Sequence, residues 1–289
     1  MPSVSEVDTR SGDSTRSHAA LTGGDGEAGR AAAWLASEIG RLRIAADPPM
    51  HQQLISFGTL IATGAARAGL TSVRDPLGIA RRHVGESLAL LAALRRAQVL
   101  EVGRPARVVD VGSGAGLPGI PMRLAEPALR TVLVESNRRR CAFLTESCVS
   151  LGLDDVQVVC ARAEEAGHDP DLRERFDIAV ARAVAPLAVL VEYALPLLAP
   201  GALLAAPKGS RAGQELADAD RAIRALGGEA LAPLPLPLPA GTPPQLVLLV
   251  RRVGDLPAEL PRRPGIPARR PLGTATRRRR GASTDRPPL

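Results

Sequence analysis

Residues 108–119 read Val-Val-Asp-Val-Gly-Ser-Gly-Ala-Gly-Leu-Pro-Gly, and this run constrains the fold more than any other. The apolar residues make a buried strand. The glycines make a tight turn where a ligand can touch backbone, and Pro118 suits the first turn of a following helix. Downstream, short β-branched runs at 107–111, 131–135, 156–160, 176–181, 202–206 and 246–251 alternate with helical segments. Such alternation predicts an α/β fold, with a Rossmann-like, doubly wound and mostly parallel sheet. Ligands then bind beyond the carboxyl ends of the strands.

The nature of that ligand is argued from charge. Gly114 to Gly119 spells the dinucleotide pattern GxGxxG, but Asp110 ends the strand where a doubly anionic pyrophosphate would lie. S-adenosylmethionine brings an ammonium and a sulfonium, which an aspartate attracts directly or through water. A dinucleotide and a purely structural turn are the alternatives. Gly112 and Gly114 are the turn glycines that approach the cofactor. Glu135 ends the second strand 23 residues after Gly112, where an acid can accept both ribose hydroxyls. After the third strand, the Ala163 amide is expected to meet a ring nitrogen of the adenine and the Glu164 carboxylate its exocyclic amine. Arg182 follows the fourth strand, whose neighbour in such sheets is usually the first, and is expected near the reacting methyl.

Composition divides the rest. Residues 1–30 are Ser, Gly, Asp and Arg without periodicity and read as a disordered leader. Residues 31–252 are expected to form the methyltransferase domain. Within it, 31–100 carry helical periods (Leu35, Ile39, Leu42; Leu54, Phe57, Leu60, Ile61; Val84, Leu88, Leu91, Leu94) and form an N-terminal helical extension to the core at 106–252. Residues 253–289 read as a disordered basic tail, rich in Arg and Pro. Residues 251–289 carry eleven Arg against three acids, a net of +8; the whole chain is +7, which leaves −1 for residues 1–250. Aromatics at 2% are too few to stack several bases. The longest uncharged stretch, 230–250, contains six prolines and cannot form a spanning helix. With no apolar leader segment, the chain is expected to be cytoplasmic and not a membrane protein. Cys141, Cys148 and Cys160 lack metal spacing and read as small apolar core residues, with no metal site and no disulfide framework.

The acceptor is narrowed by absences. The fourth strand is followed by Ala181-Arg182-Ala183-Val184-Ala185-Pro186, not by the acid or amide, paired prolines and aromatic of an exocyclic amino methyltransferase, and no Pro-Cys pair offers a nucleophile for pyrimidine C5. A ring nitrogen with its own lone pair, such as purine N7, needs neither. Lys208 is the only lysine, which suggests that a compact ammonium is needed against RNA or cofactor. Arg138 and Arg139, in the run Arg138-Arg139-Arg140, read first as a solvated helix face and second as phosphate contacts.

These residues resemble a known family. The run Asp110 to Pro121, with Arg82-His83 before it, Arg140-x-x-Phe143-Leu144 and Ala181-Arg182-Ala183 after it, and Pro207-Lys208-Gly209 later, looks like the RsmG (GidB) family. Members are bacterial class I methyltransferases acting on guanine N7 in the 530 loop of 16S ribosomal RNA. The resemblance covers roughly residues 45–252. It implies S-adenosylmethionine as cofactor, with Gly112, Leu117, Ala163, Glu164 and Arg182 as contacts. Arg82, His83 and Lys208 are expected on the RNA side, with 16S rRNA, a 30S assembly intermediate or the 30S subunit as partner, and the chain is expected to be a monomer. Arg182 and Lys208 are expected to position reactants, not to carry protons. The chain departs from the family at Gly69-Leu70-Thr71 for Asn-Leu-Thr, at Glu86-Ser87 for Asp-Ser, and at Ala205-Ala206, where an aromatic is usual. A non-catalytic rRNA-binding or assembly factor with a relic pocket and an NAD-dependent oxidoreductase are the competing functions.

Overall fold

The computed structural model describes residues 26–69 and 71–273. The leader, apart from its last residues, and positions 274–289 of the tail lie outside the described residues. The helical extension consists of α1 (Glu27–Leu42), α2 (Pro48–Ala68), α3 (Pro76–Ile79), a π-helical segment (Ala80–Gly85) and α4 (Glu86–Arg96). Its buried residues include Leu35, Ile39 and Leu42 on α1 and Leu54, Phe57 and Ile61 on α2. On α4, Ser87 to Leu94 are all buried, so this helix is enclosed on every side.

The α/β core runs β1 (Ala106–Val111), α5 (Gly119–Ala125), β2 (Leu129–Glu135), α6 (Arg138–Ser150), β3 (Gln157–Cys160), α7 (Ala163–Ala166), β4 (Phe176–Val180), α8 (Leu187–Ala194), β5 (Leu198–Lys208), α9 (Ala212–Ala225), β6 (Gly228–Ala230), β7 (Leu234–Pro235) and β8 (Leu246–Arg252). The order is β3-β2-β1-β4-β5-β8-β6, with β7 pairing β8. Strands β1 to β5 are mutually parallel and β8 runs antiparallel to β5.

The period of two along each strand sorts side chains into two cores. Val108, Ile178, Val180, Ala205, Val247 and Leu249 join the cluster under the helical extension. Val109, Val111, Ala179, Ala181, Leu248 and Val250 join the opposite cluster, with α8 and α9. Asp110 falls in the first alternation, and this decides its fate below.

Residues 253–273 correct the expectation of a disordered tail from 253. Leu256 and Leu260 are buried in the second cluster. Arg173 donates to the carbonyls of Leu260 (2.7 Å) and Pro257 (3.3 Å), and His168 bonds the Pro261 carbonyl at 2.7 Å. Glu192, fully buried, receives Arg262 at 2.6 and 2.8 Å. A short α10 (Ile266–Arg269) follows. The segment is thus a strap. Averaged composition hid it, because a few apolar anchors and body groups that satisfy its carbonyls suffice to order an Arg- and Pro-rich stretch.

Candidate functional site

The turn after β1 is built by backbone bonds. Gly112 and Ser113 N–H groups donate to the Val134 carbonyl at 2.8 and 3.0 Å, and Gly112, Gly114 and Gly116 all have positive φ. A side chain at Gly112 would be strained, and its Cβ would come within 2.8 Å of Val184. Glu135 accepts from Gly114 N–H at 3.0 Å and from Asn137 N–H at 2.8 Å. Its carboxylate therefore lies where β2 stops and is aimed by two amides.

Two cavities meet at Gly112. The smaller is lined by Glu135, Ala163, Glu164, Val184 and Tyr193. The larger, about 700 Å³, lies over Gly112, Gly114 and Leu117 and is closed by Arg82, His83, Arg140, Arg182 and Lys208. Residues expected from the sequence on both the cofactor and the RNA side are thus brought to one crevice at the carboxyl ends of β1, β2 and β4.

Asp110 does not face that crevice. It is fully buried, its Oδ2 accepts from Gly119 N–H at 2.8 Å, and its Oδ1 has no hydrogen-bond partner. Burial raises its pKa to about 7, with the Gly119 amide and Arg182 pulling down and Glu135 pushing up. The expected direct attraction for a cationic methionine end is corrected: pleating turns Asp110 to the face covered by α5, where it holds the glycine turn from beneath.

Glu164 is also partly committed. One oxygen accepts from Gly265 N–H of the strap at 2.8 Å, which fixes the acid beside the smaller cavity. Tyr193, from α8, completes this wall, and no sequence pattern pointed to it.

The other half of the crevice is an ion-pair cluster. Arg182 donates to the Arg82 carbonyl (2.9 Å) and to Glu86 (3.2 Å), with His83 Nδ1 at 3.5 Å. Burial lowers the pKa of Arg182 and raises that of Glu86. His83 is lowered to about 4, by burial first and then by Arg182. It is a neutral ring held between Thr71, at 2.8 Å, and Arg182. His83 lines the crevice, as expected of a residue on the RNA side, and it also supports Arg182. Lys208 donates to the Ala185 carbonyl and pairs with Glu215, each at 2.7 Å, so it pins the loop after β4.

The arginine run at 138–140 divides differently from expectation. Arg138 and Arg139 are exposed, and Arg139 lines a separate cavity between α2 and α6. Arg140 enters the crevice instead, donating to the Gly69 carbonyl at 3.2 Å and lying 4.0 Å from Glu135. The helical turn of about 100° per residue made this choice, and the run alone could not show which face is inward.

The cysteines also depart from a simple core reading. Cys141, at the start of α6, and Cys160, ending β3, form a disulfide with Cα atoms 5.8 Å apart. Register explains it: Glu135 pairs with Cys160 across β2 and β3, and α6 begins just beyond Glu135. Cys148 is a buried thiol raised to about 11 by burial and then by Asp155. Among the described residues no group of His, Cys, Asp or Glu could hold a metal.

A sheet in this order, parallel from β1 to β5 with β8 antiparallel, a glycine turn after β1 and an amide-held acid at the end of β2 define a Rossmann-like methyltransferase. The glycine turn leaves room for backbone approach, and Glu135, Ala163 and Glu164 line one small cavity that meets the larger one at Gly112, so the donor set fits S-adenosylmethionine. Residues 50–234 match the model of the family described as rRNA small subunit methyltransferase G. The protein of that description from Roseiflexus sp. (strain RS-1) is 39% identical over 226 residues, 78% of this chain and 93% of its own length. That of Chloroflexus aggregans is 42% identical over 206 residues, 71% of this chain and 83% of its own. The chain belongs to this family and is an S-adenosylmethionine-dependent rRNA methyltransferase. The oxidoreductase alternative falls with that finding.

Proposed function

We propose that the protein methylates N7 of a guanine in the 530 loop of 16S rRNA, acting in the cytoplasm as a monomer on the 30S subunit or an assembly intermediate. One observation carries the reading. Among the described residues that line the crevice, the side chains able to exchange a proton are engaged with protein partners: His83 with Thr71 and Arg182, Glu86 with Arg182 and Gln245, Lys208 with Ala185 and Glu215. No obvious free general base remains there. The acceptor then has to be a nucleophile that needs none, and guanine N7 carries a lone pair and no proton.

S-adenosylmethionine supplies an activated methyl on a sulfonium leaving group. The chain's part is to bind and align. Glu135 would hold the ribose hydroxyls, Ala163 N–H and the second oxygen of Glu164 would meet the adenine, and Gly112, Gly114 and Leu117 would form the floor. Arg182 keeps the π-helical segment and the β4 loop at a fixed separation, and Lys208 holds that loop from the other side. Arg82, exposed on the rim, is the phosphate contact. Rate then comes from bringing nitrogen and methyl into line. Arg138 and Arg139 lie outside the crevice and serve as outer contacts to the RNA backbone.

Nucleoside mass spectrometry of 16S rRNA from cells lacking the protein tests this. Loss of one 7-methylguanosine, restored by purified protein and 30S subunits in vitro, is the expected result. Unchanged methylation would instead favour an assembly factor with a relic pocket.

A further inference from the structure

Next to the crevice lies a cavity of about 430 Å³ lined by Trp34, Arg81, Arg82, Glu86 and the turn at 238–242. Arg82 and Glu86 line both spaces, so the two are neighbours across one wall. We propose that Trp34, with Arg81 and Arg82, is a stacking subsite for a single-stranded RNA nucleotide adjacent to the methylated guanine; this rests on the RNA substrate proposed above.

The argument starts with the ring. Trp34 is the only tryptophan in the chain and is half-buried. It lies on α1 in one stripe with Glu38 and Arg41, and Arg41 donates to Glu38 and to the Pro237 carbonyl, both at the turn side of the helix. That anchors the turn opposite the ring. Beneath it, a Cβ on Gly85 would come 2.6 Å from Trp34 Cη2, so the absent side chain at 85 is what lets the ring lie against the π-helical segment. The indole is therefore held from below, is half-buried and lines the cavity.

The charges point the same way. The Arg81 guanidinium is 5.9 Å from the ring centroid, within cation–π range. Neither Arg81 nor Arg82 forms an ion pair with a described residue, and both are exposed, whereas the one acid in the cavity, Glu86, is already paired with Arg182. An aromatic ring beside two exposed guanidiniums is the chemistry that binds a base and its phosphate without reading sequence. A single ring suits one splayed nucleotide, in keeping with a chain that has few aromatics.

The single tryptophan makes the test direct. The full-length protein is titrated with a synthetic 530-loop RNA while indole fluorescence is followed, with S-adenosylmethionine alone as control. Saturable quenching by RNA and not by S-adenosylmethionine is expected. Trp34→Ala should raise KM for the RNA substrate about tenfold with kcat changed less than about twofold, and Trp34→Phe should recover most of it. Arg81→Ala, on the surface, should lower the slope of log affinity against log salt by about one. Calorimetry with S-adenosylmethionine checks that each variant is folded. An unchanged KM in folded Trp34→Ala, or an unchanged salt slope with Arg81→Ala, overturns the subsite while leaving the RNA reading intact. No RNA methylation by the unaltered protein overturns both.

Discussion

The two halves of the crevice are held by different means. On the cofactor side, glycine and strand-end amides fix Glu135 and the turn, so position is written in backbone. On the substrate side, Arg182, Glu86 and His83 fix one another, and Lys208 is fixed by Glu215, through side chains borrowed from the helical extension and from α9. Backbone bonds survive most substitutions. A half-buried charge cluster does not, because removing one member leaves another unpaired.

The strap makes the largest break in this contrast, because it ties the backbone-built half to a distant charge. Deleting residues 256–289 leaves the fully buried Glu192 without Arg262 and Glu164 without Gly265. A loss of about 3–5 kcal/mol is expected in urea unfolding, together with weaker S-adenosylmethionine binding. Arg182→Ala should cost somewhat less, about 3 kcal/mol, since Arg182 and Glu86 keep 15% and 18% side-chain exposure. Adding Glu86→Gln should return part of the stability but not the turnover. A simple sum of the two single effects would mean the pair is not coupled.

Gly112→Val tests the backbone half alone. Positive φ and the approach to Val184 should cost about 1–2 kcal/mol and weaken S-adenosylmethionine binding at least tenfold by calorimetry. The substrate-side pairs should be untouched, so RNA binding without cofactor should persist. The smallest effect is expected at Asp110. Its pKa is raised in the folded chain to about 7, so its favourable contribution is complete below the ordinary aspartate range and is lost as pH rises through about 7. Asp110→Asn should flatten that dependence in thermal melts. It should also leave a single-turnover rate that is level across neutral pH, and a slope that persists in the variant would point to a general base and against N7.

Much of the cofactor half was legible in sequence, because it depends on local signals: a strand, a glycine turn, an acid at the next strand end. Glu135 needed only its spacing. Asp110 shows the limit of that reading. The methyl donor inferred from it is the family's, yet direct contact by Asp110 is not what the structure shows, because the direction of one side chain depends on which face α5 covers. The substrate half was legible only as a list of residues. Arg140 rather than Arg139, His83 placed against Arg182 and the Cys141–Cys160 pair all follow from helix phase and tertiary packing. The strap at 253–273 was hidden for a different reason, since its order comes from Arg173, His168 and Glu192 on the body.

That strap also bears on the order in which the molecule is finished. Gly265 reaches back 101 residues to Glu164. While the chain is being synthesised, β1, β2 and the glycine turn are complete long before residue 265 emerges, but the adenine-side acid still lacks its amide and Glu192 its arginine. A growing chain therefore passes through a stage with a formed sheet and an unfinished nucleoside pocket. A ligand that binds the finished pocket adds its stabilisation by mass action, and that contribution is complete only once the strap has been made.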